Sequence, residues 1–267
     1  MLIIGESLNA TRKDVREAVI SHDEAYIMAL AKEQVDKGAN MLDVNAAVTG
    51  RNESEDLTWM VRMVQSVVDV PLVLDSSDPA ALVSAMKVHR GSPMINSLSA
   101  ESDKIERLLP VVCDFDCDVI ILCMDDTGIP NDVDTRIVMA RKAVEPLLKA
   151  GKRADQIYID PLVMSVSVDT AAPKKTLELY KMLSEGVEGL EGVNTTGGLS
   201  NVSFGMPNRR LLNSLFLTMA IAMGMNSCLV DVRNQALMSG IYGAMALLDD
   251  QAFKNYLKMS RKGQIIG

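Results

Sequence analysis

Histidine is nearly absent. The 267-residue chain holds two, His22 and His89. Both fall in or beside helix-like stretches and neither at a strand end, so acid–base catalysis by imidazole is not expected. Cysteine is sparse as well: Cys113, Cys117, Cys123 and Cys228 form no C-x-x-C pair, and no histidine lies near them in sequence. That spacing argues against a zinc or iron–sulfur site and favours reduced, buried thiols. There is no basic run, and 27 Lys+Arg against 35 Asp+Glu leave a net charge of −8, which disfavours a nucleic-acid partner. No apolar run approaches the roughly 18–20 residues of a membrane span. The stretch MLIIGESLNATRKD lacks the basic start and long apolar segment of a signal peptide. A cytoplasmic protein is expected. Aromatic residues are 4% of a chain that is 48% hydrophobic, so its core must be aliphatic, with 18 Met as flexible filler.

What the chain does have is a coarse repeat. A short apolar run, a polar residue, a loop and an amphipathic stretch follow one another eight times. The apolar runs cover residues 2–5, 41–44, 71–74, 93–95, 118–124, 156–159, 192–195 and 228–230. The helix-like stretches cover 23–38, 53–68, 79–89, 101–113, 134–150, 172–183, 208–224 and 234–248, with one further helix at 251–261. Asp78-Pro79 reads as an N-cap followed by a first-turn proline, and Gly38, Gly151 and Gly224 sit where helix-ending glycines belong. Eight such cycles predict a parallel sheet covered by helices. Eight also closes a (β/α)8 TIM barrel, here one domain over 1–267 with an extra C-terminal helix. An open doubly wound sheet would want a G-x-G-x-x-G turn after its first strand, and none follows residues 2–5.

In such a barrel the site lies at the C-terminal strand ends. There the sequence sets Glu6 and Asn9, Asp43 and Asn45, Asp75, Asn96, Met124 and Asp125, Asp160, Asn201 and Asp231. Asp and Asn also favour helix N-caps, but these residues fall on the strand tips. With little positive charge nearby, a phosphorylated sugar fits poorly, and no spacing suggests a metal site. Carboxylates and amides without cations suit a neutral ligand rich in N–H donors, and an aminopyrimidine ring is one. The window VNTTGGLSNVSFG is unusual in placing one amide, Asn201, among glycines and small hydroxyls.

Ordered motifs run through nearly the whole chain: MLIIGESLNA, GANMLDVNAA, LVLDSSDPAAL, PMINSLSAE, DDTGIPNDVDTR, IYIDPLV and GLSNVSFGMPNR. Together they resemble the pterin-binding methyltransferase family, in particular methyltetrahydrofolate:corrinoid protein methyltransferases. The folate domains of cobalamin-dependent methionine synthases are more distant relatives. The resemblance implies a barrel that holds tetrahydrofolate or 5-methyltetrahydrofolate as substrate, with the corrinoid supplied by a partner protein; no D-x-H-x-x-G cobalamin signature occurs here. It also implies a homodimer.

Carried over by motif, Asp75, Asn96 and Asp160 would hydrogen-bond the pterin, and Asn201 would bond N5, the nitrogen that bears or receives the methyl. Gly198 and Ser200 would shape the loop, and Asp43 and Asn45 would face pterin or corrin. Arg209 would meet the folate's glutamate carboxylate or the corrinoid partner. Met124 and Met206 are candidates to pack against the ring or the partner. Asn201, Asp160 and Asp75 are the catalytic candidates, because a methyl leaves a tertiary amine only as N5 gains positive character, and one preorganised hydrogen bond is worth on the order of 3–4 kcal/mol there. One departure matters. A glutamine follows GLSNVS in the corrinoid/iron–sulfur-protein enzymes, whereas Phe204 stands here. The expected direction is therefore methylcorrinoid protein to tetrahydrofolate in a demethylation pathway, with the acetogenic direction as the alternative. Dihydropteroate synthase shares the barrel, but its serine/proline-rich first loop and strand-seven lysine are missing from GESLNATR and GLSN. A non-catalytic pterin-binding scaffold is the remaining alternative.

Overall fold

The computed structural model describes residues 1–266. Gly267, the last residue of the expected single domain, lies outside them. Eight parallel strands occur in the order β7-β6-β5-β4-β3-β2-β1-β8. They are β1 Leu2–Asn9, β2 Met41–Asn45, β3 Leu72–Asp75, β4 Met94–Ser99, β5 Asp118–Leu122, β6 Ile157–Asp160, β7 Asn194–Thr195 and β8 Ser227–Val230. The sheet closes on itself between β7 and β8. There Leu229 N donates to Gly197 O at 3.2 Å, and the hydroxyls of Thr196 and Ser227 lie 3.1 Å apart. The fold is the expected α/β barrel.

Ten α-helices cover the outside among the described residues: α1 Lys13–Ser21, α2 Glu24–Asp36, α3 Glu53–Val67, α4 Pro79–Met86, α5 Ser102–Asp114, α6 Val133–Lys149, α7 Ala172–Glu185, α8 Arg209–Ala222, α9 Gln235–Leu248 and α10 Asp250–Arg261. The extra C-terminal helix is α10. Helix α1 was not expected. It carries Val15, Ala18 and Val19 on one buried face, the spacing of an amphipathic helix, but Arg12 at its N-cap makes no side-chain bond to announce it. Elsewhere the caps are explicit. Asp23, Asn52, Asp78, Asp132, Asn234 and Asp249 each accept a backbone N–H of the first helical turn. None of these is a strand-tip residue, so capping does not explain the carboxylates and amides at the strand ends.

Two apolar layers hold the barrel. The larger lies between strands and helices and includes Leu42, Leu74, Ile95, Ile121 and Ile159. The smaller fills the barrel itself: Ile4, Met41, Val73, Met94 and Ile120, with Leu2, Leu122, Tyr158 and Leu229 against it. Because side chains alternate along a strand, the position two residues on faces the same way, one layer nearer the C-terminal mouth. Ile4 leads to Glu6, Met41 to Asp43, Val73 to Asp75, Met94 to Asn96, Tyr158 to Asp160 and Leu229 to Asp231. On β5, by contrast, Ile120 leads to another apolar residue, Leu122. One alternation thus builds an aliphatic floor and, directly above it, a polar ring.

Candidate functional site

On one side of the mouth the ring is tied together by hydrogen bonds. Asp75 Oδ2 accepts from the Asn9 and Asn45 side chains, each at 3.2 Å. Asn45 also donates to Asp75 O at 3.2 Å. Asn96 donates to Asp43 Oδ1 at 3.1 Å. The register explains these meetings, since Asn9 stands opposite Asn45, and Asp75 opposite Asn96. Above them lies a cavity of about 160 Å³ lined by Asn45, Asp75, Asn96, Glu53, Ser76 and Lys104.

The other members stand apart from this group. Asp160 ends β6, 9% exposed, and accepts Leu162 N at 2.7 Å and the Gly198 N–H. Gly198, Ser200 and Asn201 belong to the β7–α8 connection, which forms a 3₁₀ turn over Leu199–Ser203. Gly197 enters this turn so close to β6 and α7 that a Cβ would overlap the Tyr180 hydroxyl, and only glycine fits such an approach. A Cβ at Gly198 would meet nothing within 4 Å. Asn201 is exposed on the turn. Ser200 and Arg209 line a second cavity of about 270 Å³ with Glu6, Asp231 and Arg210. Met124 and Met206 are half-buried. Asp125 bonds Thr127 within its own loop.

Burial decides the electrostatics. Asp43, 2% exposed, is held well above the usual carboxylate range by burial and then by the Asp75 charge. Asp75 is raised by burial, against the hydrogen bond from Asn45. Burial brings Asp160 up to about 6, although two backbone N–H groups oppose it. Glu6 is pushed up to about 7 by burial and by Asp231. The mouth therefore holds carboxyl groups that lack enough donors to stay comfortably ionised. A ligand presenting several N–H groups would supply them. Among the described residues no cluster of His, Cys, Asp and Glu could hold a metal ion, and no helix is long and apolar enough to cross a membrane.

Sequence reasoning had not included Glu53, Ser76 or Lys104 in this ring. Ser76 donates to Glu53 at the start of α3, and Lys104 reaches the cavity from α5. An exposed-looking lysine in a first helical turn carries no signal in one sequence.

The pterin binding enzyme model matches residues 5–231. This chain belongs to that family. The pterin-binding chain is 35% identical to a methylcorrinoid:tetrahydrofolate methyltransferase of Eubacterium limosum, over 99% of its own length and 98% of that protein's. It is 29% identical to methionine synthase of Mycobacterium leprae over 86% of its length but spans only 20% of that larger protein. Among solved structures it is similar to dihydropteroate synthase from Xanthomonas albilineans, with a TM-score of 0.66 and 20% identity, covering 89% of this chain and 90% of that one. Dihydropteroate synthase from Yersinia pestis gives the same TM-score at 17% identity, over 90% of each chain. At such identities the likeness concerns the fold alone.

Proposed function

We propose that this pterin-binding enzyme moves a methyl group from the cobalt of a corrinoid, carried on a separate protein, to N5 of tetrahydrofolate. The observation that carries the reading is the polar ring: buried Asp43 and Asp160 and half-buried Asp75 with Asn96, short of N–H donors, beside a turn that exposes Asn201. Near-full-length similarity to a protein named for that reaction supports it.

In this reading the aminopyrimidine end of the pterin gives its N–H groups to Asp75 and Asp160, and Asn96 reads its carbonyl. N5 attacks the methyl carbon with its lone pair. The carbon–cobalt bond breaks, both electrons stay on cobalt, which falls from cobalt(III) to cobalt(I), and N5 then sheds its proton. Asn201 can accept the N5 hydrogen with its amide oxygen or donate to N5 with its amide nitrogen. It can therefore follow the charge on N5 through the displacement, which is where a preorganised group lowers a barrier. Asp43 and Asn45 complete the ring, and Gly198 and Ser200 frame the turn. The reverse transfer, from 5-methyltetrahydrofolate to cobalt(I), crosses the same transition state.

Two further parts of the reading are coarser. A homodimer is supported by Leu211, Leu215 and Met219, which leave an exposed apolar row along α8; light scattering giving the mass of one chain would remove it. A cytoplasmic address is supported by four cysteines that are all free.

The test is direct. Mixing the protein with methylcobalamin and tetrahydrofolate should produce the cobalt(I) absorbance and 5-methyltetrahydrofolate in equal amounts, and Asp75→Asn should suppress both. Tetrahydrofolate that binds with no change in cobalt state, with any corrinoid carrier supplied, would favour the scaffold alternative.

A further inference from the structure

The turn that carries Asn201 is gripped from several sides while its amide stays open. From the β6–α7 loop, Val166 N donates to Val202 O at 2.9 Å, and the hydroxyls of Ser165 and Ser167 donate to Phe204 O at 2.6 and 2.8 Å. Gly205 follows with φ +77°, where a Cβ would press on the Ser167 hydroxyl. From the other side comes Arg209, the first residue of α8. Its Nη2 donates to Ser200 O at 2.9 Å and its Nε to Ser203 Oγ at 3.2 Å. The same guanidinium lies 5.9 Å from the centroid of the Phe204 ring. Ser203 in turn donates to Asn213 at 2.6 Å, one turn further along α8.

A single side chain thus holds the residue before Asn201 and two residues after it. The guanidinium is a rigid planar fork with five N–H donors, and a cation over an aromatic face adds attraction. Here the fork spans a carbonyl and a hydroxyl, and its face covers a phenyl ring. We propose that Arg209 is a positioning residue that fixes the pose from which Asn201 reaches the pterin, and that it is not the group that receives the folate tail carboxylates. The proposal rests on the methyl-transfer reading above. It departs from the role the sequence resemblance implies for Arg209, because Nε and Nη2, the two donors along one edge of the fork, are turned to the turn.

The two roles separate with a truncated acceptor. Tetrahydrofolate and 6-methyltetrahydropterin share the reacting ring, but the second lacks the p-aminobenzoylglutamate tail. With methylcobalamin as donor, Arg209→Ala should lower kcat by about 10–100-fold on both acceptors, the scale of a displaced reacting group, with KM for tetrahydrofolate moving less than about threefold. Arg209→Lys should not rescue it, because an ammonium has neither fork nor plane. Arg261→Ala, an equal loss of charge from an exposed residue at the end of α10, should leave kcat on the truncated acceptor unchanged. A loss confined to KM for tetrahydrofolate and missing with the truncated pterin would make Arg209 a tail ligand and overturn the proposal. Wild-type kinetics on both acceptors would overturn it too. Should Arg209→Ala fail to fold, Ser203→Ala removes one of the two acceptors and should lower kcat in the same way on both acceptors. A readout without turnover keeps this claim distinct from the methyl-transfer reading. In Arg209→Ala, hydrogen exchange of backbone amides in residues 202–206 should quicken; unchanged exchange there would overturn the positioning role even if no methyl transfer is found at all.

Discussion

Asn96 donates to Asp43 at 3.1 Å although their strands, β4 and β2, are not neighbours and β3 runs between them. The contact is possible because both side chains project into the barrel above Val73. It gives Asp43, held well above the ordinary range by burial, a side-chain amide donor in addition to that of Asn9. Asn96→Ala should therefore leave both Asp43 and a bound pterin one partner short. Hydrogen bonds involving charged groups are worth about 1.5–3 kcal/mol, so calorimetric affinity for tetrahydrofolate should fall about 10–100-fold in a variant that still melts cooperatively. Undiminished affinity would remove Asn96 from the pterin site.

Asn201→Ala should fold as the parent does, because Asn201 is exposed and the turn is fixed by its neighbours. Its effect should fall on turnover. Loss of one preorganised group costs about 10²–10³ in kcat in comparable sites, with tetrahydrofolate affinity changed far less. Stopped-flow detection of cobalt(I) formation measures this, and near-parental turnover would take Asn201 out of the mechanism.

The barrel was legible because six of the eight strands pair an apolar floor residue with a polar residue two places on, and because caps such as Asp78-Pro79 mark helix starts. Helix α1 escaped because its apolar face is three residues wide and uncapped. The two-residue β7 carries too little pattern to fix where the barrel closes. Within the site, the strand-tip residues were legible as a set, since alternation is a local property. Their division was not. Which of them share hydrogen bonds depends on strand register, and a one-residue slip would re-pair Asp75 without altering composition. Arg209 shows the same limit at closer range, for its partners at Ser200 and Ser203 follow from the path of a turn that no periodicity specifies.

Cysteine reactivity should follow burial. Cys117, Cys123 and Cys228 are fully buried, and only Cys113 is half-exposed. Burial raises all four, Cys228 to about 12 and Cys123 further still, and the thiolate is the reactive form. An aromatic disulfide reagent at pH 8 should therefore label at most one thiol in the native protein, slowly, and four after unfolding in guanidinium. Rapid native labelling of two or more would contradict the packing of β5 and β8 described here.

Glu6 gives the pH dependence a definite sign. Burial, then the Asp231 charge, raises it from an ordinary 4.5 to about 7 in the folded state. An acid raised on folding binds its proton more tightly in the native state. The stabilisation this brings is full below about pH 4.5 and is lost as pH rises through 7, leaving an ionised group that the folded state holds at a cost. Glu6→Gln keeps an oxygen for the Asp231 N–H and cannot ionise. At pH 8 the variant should melt about 2–5 °C above the parent, and at pH 4.5 the two should coincide. Asp43, Asp75 and Asp160 are raised in the same sense, so both proteins should lose stability toward alkaline pH, and the difference between their curves isolates Glu6. Parallel curves with no gap at pH 8 would mean that Glu6 is solvated in the folded protein and that the carboxyl deficit of the mouth is confined to the three aspartates.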